Sequence, residues 1–332
     1  MSPSQPGQHS RDSCAGHPDH PFVSIIICTR GLRASLARCL DSLLDQGCQR
    51  SEIVLVLNGE ADEALFRALA RYPMQVLNEP RRGVCVARNH AIPRSRGEIL
   101  AFVDDDIVAD PNWLHELLEG FEDPKVACVT GRVVPQGPCP LSAEQQARYF
   151  SSEQALSAWD LDPSDPRCFQ KAVGGPAGFG CNMAFRRAFL ENHTLFPEDL
   201  GAGSLIGGGD EFYMFVQVLK YGSRIHHSPS AVVTHFYEES ADTRRLRAKQ
   251  LCAGAVAFAL KLLVEERQLR FATTRWLIGA VTKRVRRGLS LKGALSDSSE
   301  LLSPLDKIGA YLRGPWVFWK SRQAKLGQHI NS

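Results

Sequence analysis

Apolar stretches alternate with helical patterns through the first part of the chain. Residues 22–28 form an unbroken run rich in β-branched side chains, which is typical of a strand covered on both faces in a parallel sheet. Leucines then recur at helical spacing over residues 32–44, and a second apolar run follows at residues 53–57. This strand–helix–strand order predicts an α/β unit of the kind that binds nucleotides.

Later elements continue the same order. The pattern predicts helices at residues 61–72, 84–92, 144–159 and 212–221, and strands at 74–77, 99–103, 126–134, 182–185, 224–225 and 231–235. The strand at 99–103 runs directly into Asp104, Asp105 and Asp106. Carboxylates at the C-terminal end of a strand face the ligand crevice of an open α/β sheet, so these three side chains are candidates for a binding site.

Beyond residue 240 the pattern becomes helical. Helices are predicted at residues 246–266, 276–287 and 301–319, with breaks at Pro304 and Pro315. We therefore expect a disordered N-terminal tail at residues 1–21, an α/β domain at 22–239 and a basic helical extension at 240–332. The expected fold class is α/β, with a mostly parallel central sheet flanked by helices and followed by the C-terminal helical extension.

Charge is distributed unevenly along the 332 residues. Hydrophobic residues make up 44% and charged residues 23%, which indicates a globular protein rather than a disordered or fibrous one. The net charge of +3 conceals a basic block, because residues 241–325 hold 18 Lys and Arg against 6 Asp and Glu. Such a block could face anionic lipid, nucleic acid or an anionic substrate, or could be a solvated helical surface.

Cysteine usage and hydropathy indicate a cytoplasmic protein. The ten cysteines include no CxxC pair, and we interpret them as small buried hydrophobic residues in a reducing compartment. The first twenty residues lack the apolar core of a signal peptide. The most apolar later run, residues 253–264, contains Lys261 and falls short of the roughly 20 residues that a membrane span needs, so no span is expected.

The Asp104-x-Asp106 pair is the centre of the functional argument. Carboxylate oxygens suit Mg²⁺ or Mn²⁺, and a divalent ion that bridges a diphosphate neutralises a leaving group. Acidic loop ends are common, so three consecutive aspartates do not specify a metal site alone. Their position after a strand that is itself preceded by Gly97 and Glu98 strengthens the interpretation.

Five ordered blocks give the chain a family resemblance. They are VSIIICTR at 23–30, GVCVARN at 83–89, GEILAFVDDD at 97–106, GCNMAFRR at 180–187, and LGAG at 200–203 followed by GGGDE at 207–211. Over residues 22–235 the sequence resembles family 2 glycosyltransferases of the GT-A fold. The resemblance implies metal-dependent transfer of a sugar from a nucleotide-diphospho-sugar to an acceptor hydroxyl, with inversion of the anomeric centre.

The resemblance also implies residues for the donor. Thr29 and Arg30 would lie beside the nucleotide, and Asn58 stands where this family often has an Asp that reads the base. Because Asn both donates and accepts hydrogen bonds, the base is not assigned as uridine. Arg88 would lie near the donor pyrophosphate, where a guanidinium suits phosphate oxygens, unless it is a helix-surface arginine.

The implied metal ligands are carboxylates and one imidazole. Asp104 and Asp106 would hold donor and metal, with Asp105 beside the donor and Asp106 as the first choice for a direct ligand. His235 matches a position that supplies an additional metal ligand in related enzymes, although a single histidine after a strand is also a common structural residue. The expected cofactor is Mn²⁺ or Mg²⁺.

The implied catalytic base comes from Asp210 and Glu211, which align with a Glu-Asp pair at the start of a helix. The order is reversed here. Glu211 occupies the usual base position, but its greater length leaves Asp210 as an alternative, and both could simply cap the helix. The glycines at 207–209 would let the backbone approach a ligand closely.

Three other functions compete with this interpretation. A dinucleotide-dependent oxidoreductase would show GxGxxG after the first strand, and a sugar nucleotidyltransferase would show an early Gly-rich basic loop; neither is present. A non-catalytic transferase-like domain could carry a module that docks on membranes or binds nucleic acid. Retention of the four carboxylates argues against loss of catalysis, and the apolar setting of Trp276, Trp316 and Trp319 favours membrane over nucleic acid.

The expected partners are therefore a nucleotide-sugar donor, a carbohydrate or lipid-linked acceptor, and peripherally an anionic membrane. The expected process is cell-surface polysaccharide, glycolipid or glycoconjugate synthesis, with the protein at the inner face of a membrane. The predicted docking segments are residues 246–264, where basic residues precede an apolar stretch, and the basic run at 283–287. The alternative is that these apolar faces pack on the catalytic domain. The acceptor loops, such as residues 144–171, do not identify the acceptor.

Overall fold

The computed structural model describes residues 21–31, 33–48, 50–60, 63–141, 143–174, 177–288 and 302–330. The predicted tail lies outside the described residues up to residue 20, as does Leu32. The strands are β1 (Val23–Thr29), β2 (Ser51–Asn58), β3 (Gln75–Glu79), β4 (Ile99–Asp104), β5 (Ile107–Ala109), β6 (Val126–Gln136), β7 (Trp159–Leu161), β8 (Asn182–Arg186) and β9 (Arg224–Phe236). The α-helices are α1 (Ala34–Leu44), α2 (Glu63–Leu69), α3 (Val84–Ala91), α4 (Trp113–Glu119), α5 (Ala143–Phe150), α6 (Glu153–Leu156), α7 (Cys168–Val173), α8 (Arg187–Asn192), α9 (Asp210–Lys220), α10 (Ala241–Glu265), α11 (Arg270–Gly288) and α12 (Pro304–Ile330).

Within the described residues the strands form one sheet in the order β3-β2-β1-β4-β8-β6-β9-β5, and β7 pairs with β9. Strands β3, β2, β1 and β4 are parallel, whereas β8 runs antiparallel to both β4 and β6. The carboxyl ends of the parallel strands meet at one edge, where Thr29, Asn58 and Asp104 stand. The predicted α/β class, with a sheet flanked by helices and helices at the C-terminus, is confirmed.

The unbroken apolar runs are explained by burial on both faces of the sheet. Ile26 and Phe102 belong to the cluster on one face, while Ile25, Ile27 and Leu55 belong to the cluster on the other. Successive side chains of a strand point to opposite faces, so a strand covered by helices on both sides is apolar at every position.

The helix predicted at residues 144–159 is divided in the structure. Helix α5 ends at Phe150, and Ser152 caps α6 by accepting a hydrogen bond from the Ala155 N–H at 3.3 Å. Trp159 then begins β7, with its ring stacked on His227 at 5.3 Å between centroids. The tertiary pairing of β7 with β9 overrides the local helical pattern.

Of the two breaks predicted in the last helix, the one at Pro304 coincides with the start of α12, whereas the one at Pro315 is absent. Helix α12 begins at Pro304 and continues through Pro315 to Ile330. Proline fits the first turn of a helix because the N–H it lacks there has no partner within the helix. At Pro315 the helix continues past a proline instead of ending there.

Helix α10 packs directly on the α/β part of the chain. Its residues Ala257, Phe258 and Leu262 are buried in the same cluster as the strand residue Phe102. The apolar stretch that the sequence offered for membrane contact therefore faces the protein core, which corrects that part of the prediction. Among the helices that the structure describes, none has both the length and the apolar character needed to cross a membrane.

Close packing of α10 occurs at a glycine. A Cβ atom at Gly254 would lie 2.5 Å from the carbonyl oxygen of Ile206, in the loop that leads to α9. Helix α12 packs against α10 in the same way, because a Cβ at Gly314 would overlap the side chain of Val256. Both helices thus contact their neighbours through backbone surfaces that only glycine leaves open.

Lys261 anchors α10 through a buried ion pair. Its side chain is 1% exposed, and Nζ lies 2.7 Å from Asp199 Oδ2 and 2.7 Å from Glu265 Oε2. Lys261→Met is expected to lower the free energy of unfolding by about 3–5 kcal/mol, because the nearly buried Asp199 carboxylate loses its counter-charge. Urea denaturation of the full chain measures this.

The matched control is Lys249→Met on the same helix. Lys249 also makes a 2.7 Å ion pair, with Asp306, but it is 38% exposed. Its loss is expected to cost only about 0–1 kcal/mol. Equal destabilisation by the two substitutions would contradict the role given to Lys261.

Candidate active site

Asp104, Asp106 and His235 meet at the carboxyl edge of the sheet. Asp104 ends β4, and Asp106 directly precedes β5, which pairs antiparallel with β9 and places Ile107 opposite His235. His235 Nε2 consequently lies 3.2 Å from Asp106 Oδ1 and 3.7 Å from Asp104 Oδ2. Strand pairing thus brings together the three residues that the resemblance implied as metal ligands.

Two atoms of this group are buried without a hydrogen bond in the described part of the chain. They are Asp106 Oδ1 and His235 Nδ1. The 3.2 Å approach of Asp106 to His235 is therefore an ion-pair contact without hydrogen-bond geometry. A buried carboxylate oxygen left unbonded is costly, and a cation ligand would satisfy it.

Cys181 is a site residue that the sequence analysis missed. Its thiol sulfur, a carboxylate oxygen of Asp104 and a ring nitrogen of His235 all lie within 4.8 Å of one another. The residue was grouped with the other buried cysteines. Only the antiparallel pairing of β8 with β4, which places Asn182 beside Val103, brings Cys181 to this edge.

The pKa values show how strongly the three groups interact. Burial raises the pKa of Asp106 to about 6, against the lowering effect of His235, with Asp104 adding to the rise. Burial would lower the pKa of His235, but the neighbouring carboxylates of Asp104 and Asp106 raise it above the ordinary value. Burial opposes ionisation of Asp104, yet His235 and Arg88 hold its pKa below the usual range.

These observations fit a divalent cation. Around a cation bound at about 2.0–2.3 Å, neighbouring ligand atoms lie roughly 2.8–3.8 Å apart in octahedral or tetrahedral geometry. The distances from His235 Nε2 to Asp106, 3.2 Å, and to Asp104, 3.7 Å, fall within that range. Carboxylate oxygens with an imidazole nitrogen form a donor set suited to Mn²⁺ and its neighbours.

Asp105 and Arg30 lie beside this group. Thr29 Oγ1 donates a hydrogen bond of 2.5 Å to Asp105 Oδ2, so Asp105 is held towards the end of β1. Burial raises the pKa of Asp105, and the bond from Thr29 offsets part of that rise. Arg30 is exposed at the same edge.

Asn58 has a structural role in the loop before α3. Its Nδ2 donates to the carbonyl oxygens of Arg81 at 2.7 Å and Glu79 at 3.3 Å, and its Oδ1 accepts from the Gly83 N–H at 2.9 Å. The side chain is buried, and its amide hydrogens are both used. The contact with the donor base stays a prediction.

Arg88 connects the metal-side carboxylates to helix α9. Its Nη1 donates to Asp210 Oδ2 at 2.6 Å, and its Nη2 donates to the Gly180 carbonyl at 2.9 Å and lies 3.6 Å from Asp104 Oδ1. The guanidinium also stacks within 5.7 Å of the Phe102 ring. Burial alone would lower the pKa of Arg88, but Asp210 and Asp104 raise it, so the group stays charged.

Asp210 and Glu211 occupy the first turn of α9 in different environments. Asp210 is buried and held by Arg88, whereas Glu211 is half-buried. Burial, and then the charge of Asp210, raise the pKa of Glu211 well above its ordinary value. A Cβ at Gly180 would lie 3.4 Å from Arg88 Nη2 and 3.8 Å from Glu211 Cβ, so the missing side chain keeps the space between them open.

The Gly-rich loop before α9 packs tightly on the protein itself. Gly201 has φ +82°, and a Cβ there would lie 2.6 Å from Val84 Cγ1 and 3.1 Å from Asp210 Cγ. Gly209, with φ +84°, gives the left-handed turn that starts the helix. The glycines at 207–209 were expected to let the backbone approach a ligand. In the structure a Cβ at Gly207, Gly208 or Gly209 would lie nearest to α10, at Gln250, Leu251 and Phe258 respectively.

Comparison with known protein families gives a match for this architecture. The family model described as "Glycosyl transferase family 2" matches residues 24–194. The match includes the aspartates at the end of β4 and Cys181, which directly precedes β8. It ends before Asp210, Glu211 and His235.

Two curated relatives are glycosyltransferases by name. The chain is 28% identical to the putative glycosyltransferase EpsH of Bacillus subtilis, over 59% of this chain and 55% of that protein. It is 29% identical to the glucosyl-dolichyl phosphate glucuronosyltransferase of Haloferax volcanii, over 51% of this chain and 54% of that protein. The chain thus spans about half the length of these relatives.

A solved structure with the same architecture is the mannosyltransferase PcManGT from Pyrobaculum calidifontis, determined with GDP-Man and Mn²⁺. The TM-score is 0.58 at 18% identity, with 90% of this chain and 88% of that chain covered. At this identity the similarity shows the fold, and the predicted GT-A fold is confirmed.

Proposed function

The chain belongs to glycosyl transferase family 2, and we propose that it moves a sugar from a nucleotide-diphospho-sugar to an acceptor hydroxyl with inversion of the anomeric centre. The observation that carries the proposal is the buried link through Arg88, which joins Asp104 on the metal side to Asp210 beside the base. In this proposal the link would couple the leaving-group end of the reaction to its acceptor end.

Asp104, Asp106 and His235 would hold Mn²⁺ or Mg²⁺ in this proposal. The ion would supply positive charge to neutralise the departing nucleoside diphosphate. The imidazole, and the Cys181 thiol nearby, favour Mn²⁺, because Mg²⁺ prefers oxygen ligands and retains several waters. Thr29, Arg30, Asn58 and Asp105 stay the proposed contacts to the nucleotide.

Arg88 positions two carboxylates and adds fixed positive charge near the diphosphate. Its guanidinium is fully buried against Asp210 and Gly180, so it is already ordered before a donor binds. A group fixed in advance does not reorganise during the reaction, which is the condition for effective electrostatic stabilisation.

Glu211 is the base in this proposal, and Asp210 is a positioning residue. A carboxyl whose pKa is raised towards the working pH accepts a proton from an acceptor hydroxyl more readily than an ordinary glutamate. The acceptor oxygen attacks the anomeric carbon as the bond to the diphosphate breaks, and its proton passes to Glu211. One displacement from the opposite side inverts the centre.

The pH dependence of turnover follows from the state of Glu211. The base works only when deprotonated, so kcat is expected to fall as pH drops through its raised pKa, which lies above the ordinary glutamate value of about 4.3. The measurement is kcat against pH at saturating donor and metal. Glu211→Gln removes this acid limb; an unchanged limb in that variant would assign it to another group.

The acceptor side of the proposal is a carbohydrate or lipid-linked acceptor in cell-surface polysaccharide, glycolipid or glycoconjugate synthesis. The name of the Haloferax relative describes a lipid-linked sugar as its acceptor, which supports the lipid-linked class. Peripheral contact with an anionic membrane would bring the enzyme to such an acceptor.

A donor screen tests the function. Nucleoside diphosphate release is measured for a panel of nucleotide-sugars with added Mn²⁺ or Mg²⁺, and the anomeric configuration of the product is read by NMR. Release from one donor with inverted product supports the proposal. Retained configuration rejects inversion, and pyrophosphate release from a nucleoside triphosphate with a sugar phosphate would instead identify a nucleotidyltransferase.

A further inference from the structure

Helix α12 carries an apolar stripe that faces away from the protein. The stripe consists of five large side chains that are between 52% and 80% exposed: Leu305, Ile308, Leu312, Trp316 and Trp319. Their spacing of three or four residues places them on one side of the helix. Single exposed apolar residues are ordinary, but a continuous row of this size marks a contact surface.

The opposite side of α12 fixes the helix to the protein. Ala310 and Val317 are buried, and Gly314 lies against Val256 of α10. At the start of the helix, Asp306 accepts ion pairs from Arg245 and Lys249 at 2.7 Å each. Because the opposite side of α12 is packed against the protein, the helix is fixed and the stripe faces solvent.

Positive charge borders the stripe. Arg313, Lys320, Arg322 and Lys325 are exposed, and the sequence from 307 to 330 contains no Asp or Glu. Lys320 Nζ lies 5.7 Å from the centre of the Trp316 ring, so this lysine runs along the edge of the apolar row. Long basic side chains beside exposed tryptophans are the pattern of helices that lie at a membrane surface.

We propose that the stripe on α12 docks on an anionic lipid bilayer, with the helix lying in the plane of the interface. The inference deepens the proposed transferase function, on which it rests, by naming the surface where a lipid-linked acceptor is met. A second copy of the chain fits poorly, because pairing two stripes would bring together basic borders that hold no acidic residue. Nucleic acid fits poorly as well, because the aromatic rings lie within the apolar row instead of alternating with the basic residues.

This location differs from the segments that the sequence favoured. The apolar half of α10 packs on the core through Ala257, Phe258 and Leu262, and the side chains of the basic run at 283–287 lie outside the described residues. The predicted break at Pro315 concealed the stripe, because it divided a row that in the structure follows one continuous helix.

Co-sedimentation of the full chain with vesicles tests the apolar part of the surface. The vesicles contain phosphatidylglycerol and phosphatidylcholine in equal amounts, at physiological salt. Leu312→Glu with Trp319→Glu is expected to lower the partition coefficient about tenfold or more, because two inserting side chains become charged. The matched control is Phe66→Glu with Leu156→Glu, two exposed apolar residues outside α12, which should leave partitioning unchanged.

A second pair of variants tests the charged border. Arg313→Gln with Lys320→Gln is expected to lower binding to the anionic vesicles about 30-fold, since each basic residue near an anionic leaflet contributes roughly fivefold. Binding to pure phosphatidylcholine should be weak and unaffected by this change. If the stripe variant and the border variant both partition onto anionic vesicles as wild type does, the proposal is overturned.

Two further readouts separate the possible failures. Light scattering reports the oligomeric state. If wild type is a dimer and Leu312→Glu with Trp319→Glu is a monomer, while vesicle binding is unchanged, the stripe is a self-association surface. That result would overturn membrane docking. Donor-dependent nucleoside diphosphate release in the absence of lipid is expected to be the same in wild type and stripe variant. Loss of vesicle binding with that release intact supports the inference, whereas absence of release in wild type concerns only the transferase function.

Discussion

Asp106→Ala is expected to lower sugar transfer about 10³-fold or more while leaving the fold intact. A bound divalent ion supplies several kcal/mol of transition-state stabilisation, and each 1.4 kcal/mol corresponds to a factor of ten in rate. The fold should tolerate the change because Asp106 Oδ1 is buried without a hydrogen bond, so the substitution removes only its 3.2 Å ion-pair contact with His235. Turnover and Mn²⁺ affinity are measured on the same protein, the latter by electron paramagnetic resonance.

Asp110→Ala is the matched control for this substitution. Asp110 is an exposed aspartate just after β5, outside the cluster, and its loss should leave both turnover and Mn²⁺ affinity unchanged. Full activity in excess chelator would contradict the metal assignment. Weakened Mn²⁺ binding with undiminished transfer would place the ion outside the reaction.

Glu211→Gln is expected to reduce kcat about 10²- to 10⁴-fold with little change in donor KM. General-base assistance acts on the acceptor in the transition state, so its loss appears in turnover and not in donor binding. Asp210→Asn should behave differently, because it removes the charge that holds Arg88 at 2.6 Å and thereby disturbs the donor side. Donor KM is expected to rise in that variant together with a smaller fall in kcat.

Steady-state kinetics at saturating acceptor separate the two carboxylates. A large loss of kcat with unchanged donor KM in Asp210→Asn, and near-normal turnover in Glu211→Gln, would make Asp210 the base. Near-normal turnover in both variants would show that the catalytic base is not in α9. Circular dichroism and a thermal melt of each variant show whether the fold is retained.

The apolar runs made the sheet predictable. The run predicted at residues 99–103 is the strand Ile99–Asp104, and the run at 22–28 is the strand Val23–Thr29. A strand that is covered on both faces is apolar at nearly every position, so it is visible in the sequence as an unbroken hydrophobic run. Short edge strands such as Trp159–Leu161 lack this pattern and depend on a distant partner.

The site was predictable only in part. The aspartates after β4 follow their strand directly, so their place at the sheet edge could be inferred from local order. The contact of Arg88 with Asp210 joins residues 122 positions apart, and that of Cys181 with Asp104 depends on the antiparallel direction of β8. No local pattern encodes such contacts, because they follow from how the strands are ordered.

The contact between Gly254 and Ile206 limits which C-terminal helices could replace α10 on this α/β domain. A helix that replaces α10 must have a glycine opposite the Ile206 carbonyl, since even a methyl group there would lie 2.5 Å from that oxygen. It must also refill the core positions of Ala257 and Phe258. Helix α10 and the loop that leads into α9 therefore form a matched pair in packing, and a chimera that takes only one of them from a relative is expected to fold less stably.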